Sequence, residues 1–419
     1  MTIRPQAWPA GLAPSVLHVS RTTGGGVAVQ VAALAADQVR RGWNVAVACP
    51  GHGRLPEELA ALGVQRLHWE TARSPGAGAP GEARRLRRLI DLFTPHAVHL
   101  HSAGAGFAGR AVLRGRIPTL FQPYGWSWTT VHPALERAAL AWERTAARWA
   151  DLLVCVGEGE AALARHHGLR GNIAVVRNGI DLDRFRPADA GVRRATRLML
   201  GLPEHAPLAV CVGRAARQEE RGLLARAWER VARVCPEARL AVVGDGGGGG
   251  DGGGDGGGGS GSGGAPGSHT PVPGSLFSGV VTDVRPWYAA ADVVVLPFPR
   301  EGLPLTALEA LASGRALVAA DAPGLPEVVT SRVGALVPPG DAGALAEAVA
   351  LRLRHPALAH QEGQAAAGRA ADFGIRPVLD RLAALTSRVM RGERGDTASA
   401  AAGLLSGRVA VSRWDEDHG

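Results

Sequence analysis

Twice along the chain, a short apolar run ends in a glycine turn and gives way to a stretch whose apolar residues recur at helical spacing. That grammar builds βα units on a parallel sheet, and it constrains the fold more than any other feature of the sequence. The first round runs Ser15–Ser20 as a strand, turns through Thr22, Thr23 and three glycines, and enters a helix over about 27–41. Val27, Val31, Leu34 and Gln38 share one face of that helix, and Gly42 stops it. Strands at Asn44–Cys49 and at about 97–100, 151–156 and 173–176 continue the pattern. The second round restarts at Leu208–Val212, with a helix over about 222–234 and strands at 240–243 and Val293–Leu296. Two parallel sheets are predicted, and a length of 419 residues fits two α/β domains better than one.

The turn-rich string VVRNGIDLDRFRP (175–187) separates the two rounds and places the boundary near Asp189. The expected division is an N-terminal domain over 1–188, a C-terminal domain over 189–374, a helix over 375–392, and a loose tail over 393–419. Residues 246–264 hold 15 glycines in 19 positions, too little apolar surface to offset their ordering entropy, so a disordered insertion is expected there. A calcium-binding β-helix repeat also uses Gly and Asp, but it needs an apolar residue in every turn and this tract has none.

All 46 basic side chains are arginines, against 38 acids, for a net charge of +8. They are scattered, without an accompanying stacking-aromatic motif, so no nucleic-acid partner is predicted. Anionic small substrates or an anionic membrane surface account for the charge equally well. The segment EARRLRRLIDLF puts Leu86, Leu89, Ile90 and Phe93 on one helix face and Arg84, Arg85, Arg87 and Arg88 on the other. It reads either as a core-facing helix with a solvated basic face or as a membrane-surface helix. No apolar run is long enough to span a bilayer and the first residues carry no apolar signal segment, so the reading is cytoplasmic, with peripheral contact at the inner face of the membrane left open. Cys49, Cys155, Cys211 and Cys235 are far apart with no CxxC pair, which predicts buried free thiols, not a zinc site or a disulfide framework.

Several positions could carry chemistry. Gly24, Gly25 and Gly26 open a helix whose free N–H groups could face an anion or a sugar, or they form a tight packing turn. The cluster lacks both GxGxxG spacing and a GK[ST] ending, which sets aside NAD and ATP; no cofactor is predicted. His99 and His101 lie on one face of a strand, His99 as a packing residue and His101 at the strand end where ligands collect in open α/β sheets. FQPYGWSW, with Tyr124 and Gly125, offers aromatic faces for stacking or for core packing. In PREGLPLTALEA, Glu301 stands at a strand end and Glu309 two turns into a helix, so Gly302, Leu303, Pro304 and Leu305 leave backbone N–H groups between two carboxylates. That pair could hold sugar hydroxyls while the amides meet a phosphate. Arg214, after the strand LAVCVG, suits a diphosphate.

Taken in order, GGG, RNGIDLDRFRP, VGR, VVGDG, VTDVRPWYAAADVVVLPF and EGLPLTALEALASGRALVAAD resemble the retaining glycosyltransferases of family four, over roughly 370 residues. The resemblance implies a GT-B fold, two Rossmann-like domains with parallel sheets facing an interdomain cleft. It implies transfer of a sugar from a UDP- or GDP-sugar to a glycan, a lipid-linked or a small-molecule acceptor, without a catalytic metal. Glu301 would contact the donor sugar, Glu309 the ribose and Arg214 the diphosphate. Gly24, Gly25, Gly26, His101, Tyr124 and Gly125 would lie on the acceptor side, and the helix over 375–392 would cross back to the first domain. Two positions depart from the family pattern. Glu219 occupies the place of a lysine, which Arg217 or Arg221 would have to replace, and Tyr124 occupies the place of a histidine. These departures motivate the alternative of a GT-B protein that binds a glycan or a partner without transfer.

Overall fold

The computed structural model describes residues 13–71, 79–213, 218–244, 274–279, 281–297 and 302–393, with side chains at all of these except 79, 130 and 218–221. The expected insertion over 246–264 and the tail from 394 onward lie outside the described residues.

The first sheet has strands β1 (Ser15–Ser20), β2 (Asn44–Cys49), β3 (Gln65–His68), β4 (Ala97–His101), β5 (Thr119–Gln122), β6 (Leu152–Cys155) and β7 (Ile173–Val175). They are all parallel, in the order β3-β2-β1-β4-β5-β6-β7. The second sheet has β8 (Leu208–Val212), β9 (Arg239–Val243), β10 (Ser275–Gly279), β11 (Val293–Leu296), β12 (Ala316–Ala320) and β13 (Gly334–Val337), also parallel, in the order β10-β9-β8-β11-β12-β13. Both orders are those of doubly wound Rossmann-type sheets, in which the chain leaves the first strand in one direction and then reverses to the other side. The near-continuous apolar runs of β1, β6, β8 and β11 follow from burial on both faces by helices. All four cysteines are buried and free.

The helix Ala79–Phe93 turns Leu86 and Ile90 into the core of the first domain, with Leu89 and Phe93 packed beside them, while Arg84, Arg85, Arg87 and Arg88 are exposed. Its apolar stripe is therefore occupied, and the membrane-surface alternative loses the face it would need. Among the described residues, no helix is long and apolar enough to cross a membrane.

The helix Ile375–Met390 follows the second sheet in sequence but packs on the first. Leu379, Leu382, Leu385, Val389 and Met390 share one cluster with Val16, Ala97, Leu120 and Val154. An ion pair between Arg41 and Asp380 and a single parallel bridge between Ile180 and Gly374 fasten its start to the first domain and to the crossover segment.

Candidate active site

In a doubly wound sheet, ligands gather beyond the carboxyl ends of the strands, where the strand order reverses. In the first sheet that point lies between β1 and β4, and in the second between β8 and β11. The two points face each other. Gly24 caps the helix Gly25–Arg40 that leaves β1, and a Cβ on Gly26 would sit 3.2 Å from Leu305 Cδ1, at the head of the helix that follows β11. Tyr124, Val29 and Val156 of the first domain pack against the apolar core of the second.

The loop at 302–304 is fixed from several sides. Asn178 donates from Nδ2 to the Leu303 carbonyl at 2.6 Å, tying the crossover string to the loop. Gly324 adopts φ +96°, and a Cβ there would lie 2.4 Å from the Gly302 oxygen, so only glycine fits. Pro304 precedes the helix Leu305–Ala312, which has no side-chain cap among the described residues; the Ala307 N–H turns back to the Pro304 carbonyl, and the helix start leaves the N–H groups of Leu305 and Thr306 without an intrahelical partner. Leu303 and Leu305 are buried, Gly302 and Pro304 partly so. Glu301, Arg214 and Arg217 lie outside the described residues, as does the side chain of Arg221, whose backbone is in the helix Gln218–Val234.

Glu309 points into this region under tight restraint. Tyr288, fully buried, donates its phenol to Glu309 Oε2 at 2.8 Å. Phe185 of the crossover string packs edge-on against the Tyr288 ring at 6.3 Å. Burial raises the Glu309 pKa, while the Tyr288 hydrogen bond and the positive charges of Arg184 and Arg54 pull it back down. A buried carboxylate held against its own solvation in the strand-end region marks Glu309 as a candidate binding group. Tyr288, Phe185, Arg54, Arg184 and Asn178 were not singled out by sequence spacing; the contacts that matter span 21 residues from Tyr288 to Glu309 and 125 from Asn178 to Leu303.

On the opposite wall, Tyr124 and Gly125 both have positive φ, 52° and 106°, which makes the PYG turn a left-handed corner. A residue that the sequence did not flag holds this corner. Glu160 accepts the Gly125 N–H through Oε1 and the Val156 N–H through Oε2, each at 2.7 Å. Its backbone carbonyl also accepts Trp126 Nε1–H. Burial raises its pKa from the ordinary 4.5 to about 7, although the two N–H groups favour the charge. The folded state therefore holds this proton more tightly than the unfolded one. The stability gained by holding it is full below pH 4.5 and is lost as pH rises toward 7. Relative to Glu160→Gln, the wild type is expected to lose about 3 kcal/mol between these limits, read from denaturant unfolding at a series of pH values. A difference that stays flat across the series would show that burial does not penalise this carboxylate.

His101 ends β4, as its spacing suggests, but it is fully buried. It contacts His18 and His99 and stands 6.1 Å, ring to ring, from Tyr124, so Tyr124 is the part of this corner that reaches the other domain. Burial lowers the pKa of all three histidines and so favours their neutral forms. They are the one group of metal-ligating side chains among the described residues close enough to share an ion.

Comparison with known proteins follows the same two halves. The sequence profile of Glycosyltransferase Family 4 matches residues 24–184 and that of Glycosyl transferases group 1 matches 206–355. The D-inositol 3-phosphate glycosyltransferase of Streptomyces avermitilis is 35% identical over 257 residues, 58% of this chain and 53% of that protein. The chain thus spans about half the length of that curated relative. The corresponding protein of Mycobacterium avium is 35% identical over 353 residues, 80% of this chain and 76% of that protein. Among solved structures, sucrose-phosphate synthase from Thermosynechococcus elongatus superposes with a TM-score of 0.72 at 19% identity, covering 91% of this chain and all of that one. Anabaena HepE in complex with UDP-glucose gives 0.72 at 17%, covering 89% and 99%. These likenesses place the fold among the GT-B glycosyltransferases.

Proposed function

The chain belongs to glycosyltransferase family 4, and from that premise we propose that it moves a sugar from a UDP-sugar to a phosphorylated polyol or a similar small acceptor, retaining the anomeric configuration. The observation that carries this reading is the restrained carboxylate of Glu309 beside the open N–H groups of the Leu305–Ala312 helix, facing the glycine turn of the other domain. A nucleoside diphosphate needs both features. A carboxylate accepts hydrogen bonds from ribose hydroxyls, and a helix N-terminus with nearby cations stabilises the charge that builds on the departing diphosphate. Glu301 and Arg214 are assigned to the donor sugar and the diphosphate, and Arg217 or Arg221 to the place of the family lysine. In this mechanism the acceptor oxygen attacks from the face the diphosphate leaves, and the departing phosphate oxygen takes its proton. No protein nucleophile or metal enters these steps. A UDP-sugar is favoured because HepE is recorded with UDP-glucose, and a polyol phosphate because the curated relatives carry inositol phosphate in their names.

The test is a thermal-shift panel of UDP, GDP and their sugars, followed by turnover with inositol phosphates and anomer assignment of the product by NMR. A UDP-dependent shift with product of retained configuration is expected. An inverted product would end the proposed mechanism. Donor binding without turnover on any acceptor would favour the second reading, a non-transferring GT-B binder, for which Glu219 in place of lysine is the motive. Tyr288→Phe is expected to raise the donor KM about three- to tenfold with kcat little changed, a smaller effect than losing Glu309 itself because the phenol positions the carboxylate without being assigned to the donor. An unchanged KM would show that Glu309 keeps its place without the phenol.

A further inference from the structure

We propose that His18, His99 and His101 bind one divalent ion of the zinc type, with Gln38 orienting His18. The proposal does not depend on the transfer reaction, since none of these four residues is among those assigned to the donor.

The site follows from strand register. His18 on β1 lies directly opposite His99 on β4, and His101, two residues on, projects from the same sheet face. The ligand nitrogens of the three rings all lie within 4.8 Å of one another, and His18 Nδ1 and His101 Nε2 share a 2.9 Å hydrogen bond that an ion would replace. All three side chains are fully buried, yet both nitrogens of His99 and Nδ1 of His101 have no hydrogen-bond partner. Gln122 faces His99 without closing a bond of ordinary geometry, and its Oε1 is also unpaired. Buried polar atoms are almost always satisfied, and a cluster of unpaired lone pairs in one place calls for an ion or a water. An ion fits the donor set. Neutral imidazoles suit zinc, copper or nickel, and the absence of any carboxylate among the three ligands disfavours calcium and magnesium.

The surrounding residues supply what a metal-bound histidine usually has. Gln38 Oε1 lies 2.8 Å from His18 Nε2, so with Nε2 carrying the proton the Nδ1 lone pair accepts from His101 Nε2 in the ion-free form and passes to the ion when His101 carries its proton on Nδ1 instead. Zinc bonds to nitrogen of about 2.0–2.1 Å in a tetrahedron space ligand nitrogens about 3.3 Å apart. The His18–His101 pair therefore opens slightly on binding. His99 and His101, stacked at 4.0 Å, splay so that their lone pairs converge. Three protein ligands leave a fourth position for water. Such an ion would join β1 to β4 just below the turn at 20–26 and the Tyr124 corner.

The experiment uses the full chain, free of any histidine tag and stripped with EDTA. It is titrated with zinc chloride by calorimetry and with cobalt(II) by visible absorption. One equivalent of zinc per chain, a raised Tm and the intense bands of tetrahedral cobalt are expected. His99→Ala and His18→Ala should lose about 100-fold or more in affinity and Gln38→Leu about tenfold, the range known for ligands and the groups that orient them. Because a histidine variant could fail to fold, X-ray absorption of the zinc-loaded wild type gives an independent reading, with three imidazoles around the metal. The proposal is overturned by no stoichiometric uptake, which leaves a buried water as the occupant. It is equally overturned by a spectrum without imidazole scattering, or by a triple His variant that binds as tightly through the other 11 of the 14 histidines.

Discussion

Glu309→Ala is expected to lower kcat/KM for the donor about 10- to 100-fold, mostly through KM, while leaving Tm unchanged or raised. The activity side follows from the loss of a charge-assisted hydrogen bond to the ribose, an interaction of about 1.5–3 kcal/mol. The stability side follows from the raised pKa. Burial works against this carboxylate, so the folded protein holds it at a cost that alanine removes. Tyr288 loses its 2.8 Å partner in the variant, a smaller penalty because Thr306 O, at 3.4 Å, can take the hydroxyl. The measurement is steady-state kinetics with varied UDP-sugar beside a thermal melt. An unaltered KM would remove Glu309 from the donor site; a large fall in Tm would make it a structural residue.

Glu143→Ala should have the largest effect on stability, about 3–5 kcal/mol, because it strands a buried guanidinium. Arg110 and Glu143 are essentially inaccessible, with Nη1 and Oε2 2.8 Å apart. The pair is close but not aligned as a hydrogen bond, so charge attraction is what is lost. Among the described residues, Arg110 keeps only the Gly106 carbonyl at Nε and the face of Phe121, 3.8 Å from the ring centroid. Ser127, whose hydroxyl donates to Glu143 Oε1, loses its acceptor as well. Denaturant unfolding gives the number. The double variant Arg110→Leu with Glu143→Leu should cost less than Glu143→Ala alone, since it removes both charges together. A loss below about 1 kcal/mol for the single variant would mean that water reaches the arginine.

The sequence is informative where burial and backbone chemistry coincide. Strands β1, β2, β8 and β11 are mostly apolar and buried along almost their whole length, so their limits could be read directly. Strand β3 could not, because QRLH is an edge strand, mostly exposed, and carries no apolar signature. Strand β10, SLFSG, is likewise an edge strand, only partly buried, with no apolar alternation to announce it. The helix Gly25–Arg40 begins two residues before the apolar periodicity does, since glycine itself forms its first turn. At the site, the helix that carries Glu309 was legible, but Glu309 stands one turn into it and not two, because the helix begins only at Leu305. Glu160 was not, because EGEAALARHHG looks like the acidic first turn of any surface helix; only the fold brings its carboxylate under Gly125. The buried histidines escaped for a related reason. Strand periodicity places His99 and His101 on one face, but it cannot bring His18 beside them or say that the His99 nitrogens and His101 Nδ1 lack partners.

The helix Ile375–Met390 has a consequence for how the protein is made. Residues of the first sheet pack against a segment translated more than 180 positions after the last of its strands. At about 5–20 residues per second, the ribosome needs about 10–40 s to supply that segment. Throughout this interval the first domain has its sheet but not its cover, with Val16, Ala97, Leu120 and Val154 facing solvent or a chaperone. Vectorial synthesis thus cannot complete the two halves one after the other. The half made first is the half finished last.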